Sequence, residues 1–154
     1  RIGVINLIGK AEMGDILEKN TSDPFKCISS QIEEVKNAGA DYIFLDFHAE
    51  ATAEKIAMGY FLDGKVTCVF GTHTHVATAD ETILPNGTAY ITDIGMTGPK
   101  DSVIGLKKEV ALKRFVEGAY AKYECSLNES FLNGLIVKTD DITCKPVNIK
   151  RISL

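Results

Sequence analysis

Three short apolar runs, rich in β-branched and aromatic residues, constrain this chain more than any other feature. They are Arg1–Ile8, Asp41–Phe47 and Val66–Phe70. All three read as strands, and the second and third, short and mostly apolar, as strands buried on both faces. Helical signals separate them. Asp23-Pro24 is a helix start, with Asp as N-cap and Pro in the first turn. Phe25, Ile28, Ile32 and Val35 then share one helical face, and Gly39 is a C-terminal stop. A second helix is expected from about Ala51 to Phe61. The polar stretch from Gly9 to Ser22 reads as a loop. The order β-α-β-α-β is that of a layered α/β domain.

The texture then changes. Glu81–Leu84 and Thr88–Thr92 flank Pro85-Asn86-Gly87, a strong hairpin turn. Lys107 to Phe115 reads as a helix. Ala121–Leu127, Leu132–Thr139 and Pro146–Ile152 alternate and are expected to be antiparallel strands, with Asp140-Asp141 at a turn. No repeat, linker or low-complexity segment divides the chain, so residues 1–154 read as a single domain. The charge, 17 basic against 21 acidic side chains, argues against a polybasic nucleic-acid or membrane surface. No apolar run approaches the ~18 residues needed to span a bilayer. Cys27, Cys68, Cys125 and Cys144 have no CxxC spacing. That argues against a cysteine-rich zinc site and for reduced thiols in a cytoplasmic protein, Cys68 among them in the core.

The chemistry-bearing residues are the histidines. His48, His73 and His75 each follow a β-type run. In α/β sheets, ligand sites gather at the carboxyl ends of strands. His73 and His75, at i and i+2, point the same way if their segment is extended. If the strands before His48 and His73 are neighbours, three imidazoles can converge on one metal-binding patch. Gly71 is expected to let the backbone bend there. Asp46, Glu50 and Asp93 are candidates for further ligands, or for carboxylates that orient an imidazole from behind. The glycine-rich segment Thr92–Gly98 is a candidate for approaching phosphate through backbone N–H groups.

Several longer motifs occur in order: Asp46-Phe47-His48-Ala49-Glu50-Ala51-Thr52, Val69-Phe70-Gly71-Thr72-His73-Thr74-His75-Val76, and Ala89 through Pro99, with Asn6-Leu7-Ile8-Gly9 and Asp23-Pro24-Phe25. With these motifs the chain resembles the bacterial calcineurin-like metallophosphoesterases of the YmdB type, which act as 2′,3′-cyclic nucleotide 2′-phosphodiesterases. The resemblance runs the whole length of the chain. It implies an α/β class fold, an α/β/β/α sandwich of mixed sheets flanked by helices. It also implies a two-metal site, with His48 and His73 on one metal and His75 on the other. The family metals are iron or manganese, and the implied substrate is a cyclic nucleotide or another small phosphodiester.

The chain departs from the family at its start. The Asp ligand, the bridging Glu of a Glu-Asn pair, and the Asn-His pair that holds the general acid have no counterpart here. The resemblance therefore implies a fold incomplete at the N-terminus, with no catalytic acid assigned and substrate-binding residues unknown. It further implies fewer metals than in the intact enzyme, impaired activity of this chain alone, and an exposed apolar face on the first strand. That face favours homo-oligomers or association with the missing N-terminal portion. The alternatives are a self-contained mononuclear three-His hydrolase, which three imidazoles with an open position would suit, and a non-catalytic regulatory or interaction module.

Overall fold

A computed structural model of the chain describes residues 1–154, the side chains of residues 16–18 excepted. The elements are β1 (Ile2–Ile8), α1 (Asp15–Asn20), α2 (Pro24–Asn37), β2 (Tyr42–His48), α3 (Thr52–Phe61), β3 (Cys68–Thr72), β4 (Thr82–Ile83), β5 (Ala89–Ile91), β6 (Gly98–Pro99), α4 (Lys108–Phe115), β7 (Ser130–Phe131), β8 (Asn133–Thr139) and β9 (Pro146–Ser153). The main sheet is mixed and five-stranded, in the order β1-β2-β3-β5-β4. β1, β2, β3 and β5 are parallel, and β4 runs antiparallel to β5. The expected α/β class and mixed sheet are both present.

The local signals explain most of these elements. Asp23 caps α2, accepting the Phe25 N–H at 2.9 Å, and Pro24 opens the helix. Ile28 and Ile32 are buried, and Phe25 and Val35 pack beside them, as the periodicity predicts. Gly39, at φ +85°, follows the cap in the left-handed region. Gly87, at φ +104°, makes the β4–β5 turn.

Helices α2 and α3 cover one face of the sheet. There Ile5, Leu7, Ile43, Leu45, Phe47 and Val69 join Ile28, Ile32, Met58 and Leu62 in a single core. The other face is shared. The β8–β9 hairpin lies over its β3 side, where Leu135 and Val137 face Phe44, Cys68 and Phe70 across an apolar cleft. The β1 side is open, and Ile2 and Val4 are each 68% exposed. The expected exposed apolar face is therefore present, and β2 alternates between buried and half-buried residues rather than being covered on both sides. Burial pushes the Cys68 thiol up to about 12, so it is an inert core group, as expected. All four cysteines are free.

Two expectations are corrected. The segment read as a loop from Gly9 to Ser22 contains the short helix α1. Ala121–Leu127 alternates but forms no strand; its pairing is one isolated bridge, Leu106 to Cys125, flanked by bonds from Lys107 N–H to the Glu124 carbonyl and from Ser126 N–H to the Gly105 carbonyl. Tyr120, Tyr123 and Leu127 stay exposed. Alternation makes a strand only where a partner edge and a surface to cover are both present.

Candidate functional site

The parallel register brings Ile8, His48 and Thr72 side by side at the carboxyl end of the sheet. Asp46, two residues before His48, shares its face. The Thr72 hydroxyl donates to Asp46 Oδ1 at 2.8 Å, and Asn6 Nδ2 donates to Asp46 Oδ2 at 2.9 Å. His48 Nδ1 lies 3.1 Å from the same Thr72 oxygen. That hydroxyl has one proton, and Asp46 holds it, so His48 donates from Nδ1 and keeps its lone pair on Nε2. Asp46 thus orients the imidazole through Thr72, one of the two roles expected of it.

His48 Nε2 faces His73 Nδ1 at 3.0 Å. The far nitrogen of His73, Nε2, lies 3.0 Å from Glu50 Oε2, so Glu50 fixes the His73 ring from behind. With a neutral His73 donating to Glu50, the two facing nitrogens both turn lone pairs into the gap. Only a proton or a metal cation reconciles them. Two nitrogens bound at ~2.0–2.1 Å to one metal stand roughly 3.0–3.4 Å apart, so the spacing suits a shared ion. Burial, and then the charge of His73, holds the His48 pKa below its ordinary value, which keeps the imidazole neutral for a cation.

The third histidine goes elsewhere. His73 and His75 both have positive φ, 105° and 67°. The extended segment that would have aligned them ends at Thr72. His75 Nδ1 faces the Ile104 carbonyl at 3.3 Å, and His75 borders a separate open cleft of about 500 Å³ with Met96, Lys100 and Arg151. Among the described residues, no group of three or more His, Cys, Asp or Glu side chains is placed to hold one metal ion. The expected convergence of three imidazoles is therefore replaced by a pair and a separate third.

Left-handed backbone at two non-glycine residues costs about 1–3 kcal/mol each and persists only where the surroundings over-determine it. Here Asp93 does so. Its Oδ2 accepts the Thr74 N–H at 3.1 Å and the Thr74 hydroxyl at 2.8 Å, and its Oδ1 accepts the Gly95 N–H at 2.9 Å. Burial pushes the Asp93 pKa up, but the bonds from Lys55, Gly95 and Thr74 prevail and hold it below the usual carboxylate range. Asp93 thus braces the loop rather than lying beside an imidazole.

The glycine-rich segment is engaged in the same bracing. Its Ile94, Gly95 and Met96 N–H groups bond the Gly71 carbonyl, Asp93 and the His75 carbonyl. They are not turned out toward a phosphate, as the sequence reading allowed. Gly71 also acts differently from expectation. It stays within β3, and a Cβ there would lie 1.7 Å from the Thr92 carbonyl oxygen. It provides close approach, not a bend.

Sequence reasoning missed Asn6, Thr72 and Lys55 as parts of this site. The Lys55 signal was present: it shares the buried helix face with Met58 and Gly59, where a charge needs a buried partner.

The YmdB-like protein family matches residues 1–152. The 2′,3′-cyclic-nucleotide 2′-phosphodiesterase of Bacillus subtilis (strain 168) is 44% identical over 98% of this chain and 55% of its own length. The crystal structure of a novel phosphatase from Mycoplasma pneumoniae superimposes with a TM-score of 0.85 and 38% identity, over 98% of this chain and 52% of the other. A hypothetical protein from Thermus thermophilus gives a TM-score of 0.87 and 35% identity, over 99% of this chain and 57% of that one. The chain spans about half the length of the curated relatives it matches. Matched across nearly all its residues by the family and by these relatives, the chain belongs to the YmdB-like protein family.

Proposed function

We propose that this chain supplies the imidazole half of a metal-dependent phosphodiesterase acting on cyclic nucleotide phosphodiesters of the 2′,3′ type. The observation that carries the reading is the 3.0 Å approach of His48 Nε2 to His73 Nδ1, with the other nitrogen of each ring beside an oxygen. Each ring is held from behind, His48 by Thr72 and Asp46, and His73 by Glu50. The name of the Bacillus subtilis relative supports the substrate class.

In this reading His48 and His73 hold one metal and His75 a second. The resemblance to the family favours iron or manganese. When bound, such metals neutralise phosphate charge and lower the pKa of water for in-line attack. The chain's own residues do the rest. Asp46, through Thr72, keeps His48 in the Nδ1–H tautomer, so that Nε2 faces the metal. Glu50 holds the His73 ring with Nδ1 turned toward His48. His75, set on the far side of Thr74, faces the cleft beside Met96 and Lys100, where the rest of a substrate has room.

The described residues do not complete a three-ligand cluster. This favours a site finished by groups outside the chain over a self-contained three-His hydrolase. The open apolar side of β1 is the surface we assign to those groups or to a second copy. The test is hydrolysis of 2′,3′-cyclic AMP by the 154-residue chain with manganese supplied. The expected result is little or no turnover. Robust turnover abolished by His73→Ala would show that the chain completes the site itself. Robust turnover untouched by that substitution would overturn the role of the histidines.

A further inference from the structure

Lys55 lies on α3, and Asp93 follows β5. Each side chain is only 1% exposed, and Lys55 Nζ meets Asp93 Oδ2 at 2.8 Å. The proposed chemistry uses neither charge. Burying two charges is costly unless they are paired and further hydrogen-bonded, and this pair is. The oxygen that takes Lys55 also takes the Thr74 N–H and hydroxyl. Thr74 stands between His73 and His75, both of which have left-handed backbone.

Gly71 adds an independent observation. A Cβ there would come 2.8 Å from the Lys55 Cδ and 1.7 Å from the Thr92 carbonyl oxygen. The glycine of the Gly-Thr-His-Thr-His run therefore makes room first for the Thr92 carbonyl, next to Asp93 in sequence, and then for the lysine stem. Helix, ion pair and glycine form one stack, and the loop with both histidines rests on it.

We infer that Lys55 is a positioning residue: by neutralising and fixing Asp93 beneath Thr74, it holds the turn that sends His73 toward His48 and His75 away from it. The inference rests on the reading of these imidazoles as working groups. Lys55 Nζ bonds Asp93 rather than an imidazole, and Lys55 does not line the cleft beside His75. Its hold on the loop passes through Asp93 and Thr74.

The test uses the full 154-residue chain in four forms: wild type, Lys55→Met, Thr74→Val and Leu62→Val. Lys55→Met keeps the apolar stem and removes the ammonium. Thr74→Val removes one hydroxyl bond to Asp93 and leaves the ion pair intact, so it serves if Lys55→Met does not fold. Leu62→Val loosens α3 packing without touching Asp93 and reports what destabilisation alone does. Two readouts are taken: the imidazole nitrogen and proton resonances without metal, and the affinity for Mn²⁺.

The expected result is that Lys55→Met and Thr74→Val shift the His73 and His75 resonances and weaken Mn²⁺ binding at least tenfold, while Leu62→Val changes neither. The inference is overturned if Lys55→Met and Thr74→Val leave the resonances at their wild-type positions. It is equally overturned if Leu62→Val moves them as far. Failure of the wild type to bind Mn²⁺ would count against the metal reading alone. The resonances of the metal-free protein would still decide the role of Lys55.

Discussion

The two faces of the central sheet are built from the same strands and do different work. On the helix side, Ile5, Leu7, Ile43, Leu45, Phe47 and Val69 are all buried in one apolar core. On the other side, the same strands present Asn6, Asp46, His48 and Thr72 in a connected polar chain, with exposed Ile2 and Val4 nearby. The strand period of two separates the functions residue by residue. The apolar face fixes where the backbone lies. The polar face then inherits a register accurate enough to bring a Thr hydroxyl, a carboxylate and an imidazole within hydrogen-bond distance.

If that division holds, substitutions on the two faces fail in different ways. The largest effect on stability is expected from Phe47→Ala, the largest fully buried side chain of the helix face. It should cost about 3–5 kcal/mol in denaturant unfolding, from lost burial and the cavity left behind. A cost under about 1 kcal/mol would mean that the helix face is not the scaffold.

On the polar face, Thr72→Val removes the hydroxyl between Asp46 and His48 while keeping the shape. Losing a group that orients a metal-binding imidazole typically weakens metal binding roughly 10- to 100-fold. Calorimetry with Mn²⁺ should show that loss with little change in the unfolding midpoint. An unfolding midpoint that falls with unchanged affinity would reverse the assignment of the two faces.

Acid provides a third way to separate scaffold from site. The pKa of Asp93 is depressed in the folded chain, and so is that of Asp80: burial pushes it up, but the Thr78 and Thr92 bonds prevail. A depressed carboxylate contributes stability that is present above its unfolded value of about 3.9 and is lost as pH falls through the folded value. Thermal unfolding should therefore be insensitive to these groups at neutral pH and should weaken progressively below about pH 4. Asp80→Asn should flatten that acid slope. An unchanged slope would remove Asp80 from the account.

The smallest stability effect is expected on the open edge. Val4→Lys, at a site 68% exposed, should change unfolding by no more than about 0.5 kcal/mol. It should nonetheless reduce self-association in sedimentation, because a charge on an edge strand blocks pairing. A monodisperse wild-type chain would show that this face needs no cover.

Much of the helix face was legible because burial writes itself into residue type. Ile28 and Ile32 at helical spacing, and the capped Asp23-Pro24 start, lead directly to α2. The site was legible only to its first level. His48 and His73 meet because neighbouring parallel strands end together, which the order of apolar runs implied. The departure of His75 was hidden, because the i, i+2 rule holds only for extended backbone, and positive φ at His73 and His75 is not encoded by those residue types. Ala121–Leu127 misled for the complementary reason: its alternation is real, but its pairing with the backbone at Gly105–Lys107 stops at one isolated bridge. Lys55 was overlooked because a lysine within a helix usually faces water, and only its place among buried neighbours marked it.

The central claim is that the His48–His73 gap is a cation site, and Mn²⁺ titration calorimetry on His48→Ala, His73→Ala and His75→Ala tests it most directly. The account predicts that the first two substitutions abolish the same binding event, while His75→Ala leaves that event in place. An unchanged isotherm in both His48→Ala and His73→Ala would contradict it.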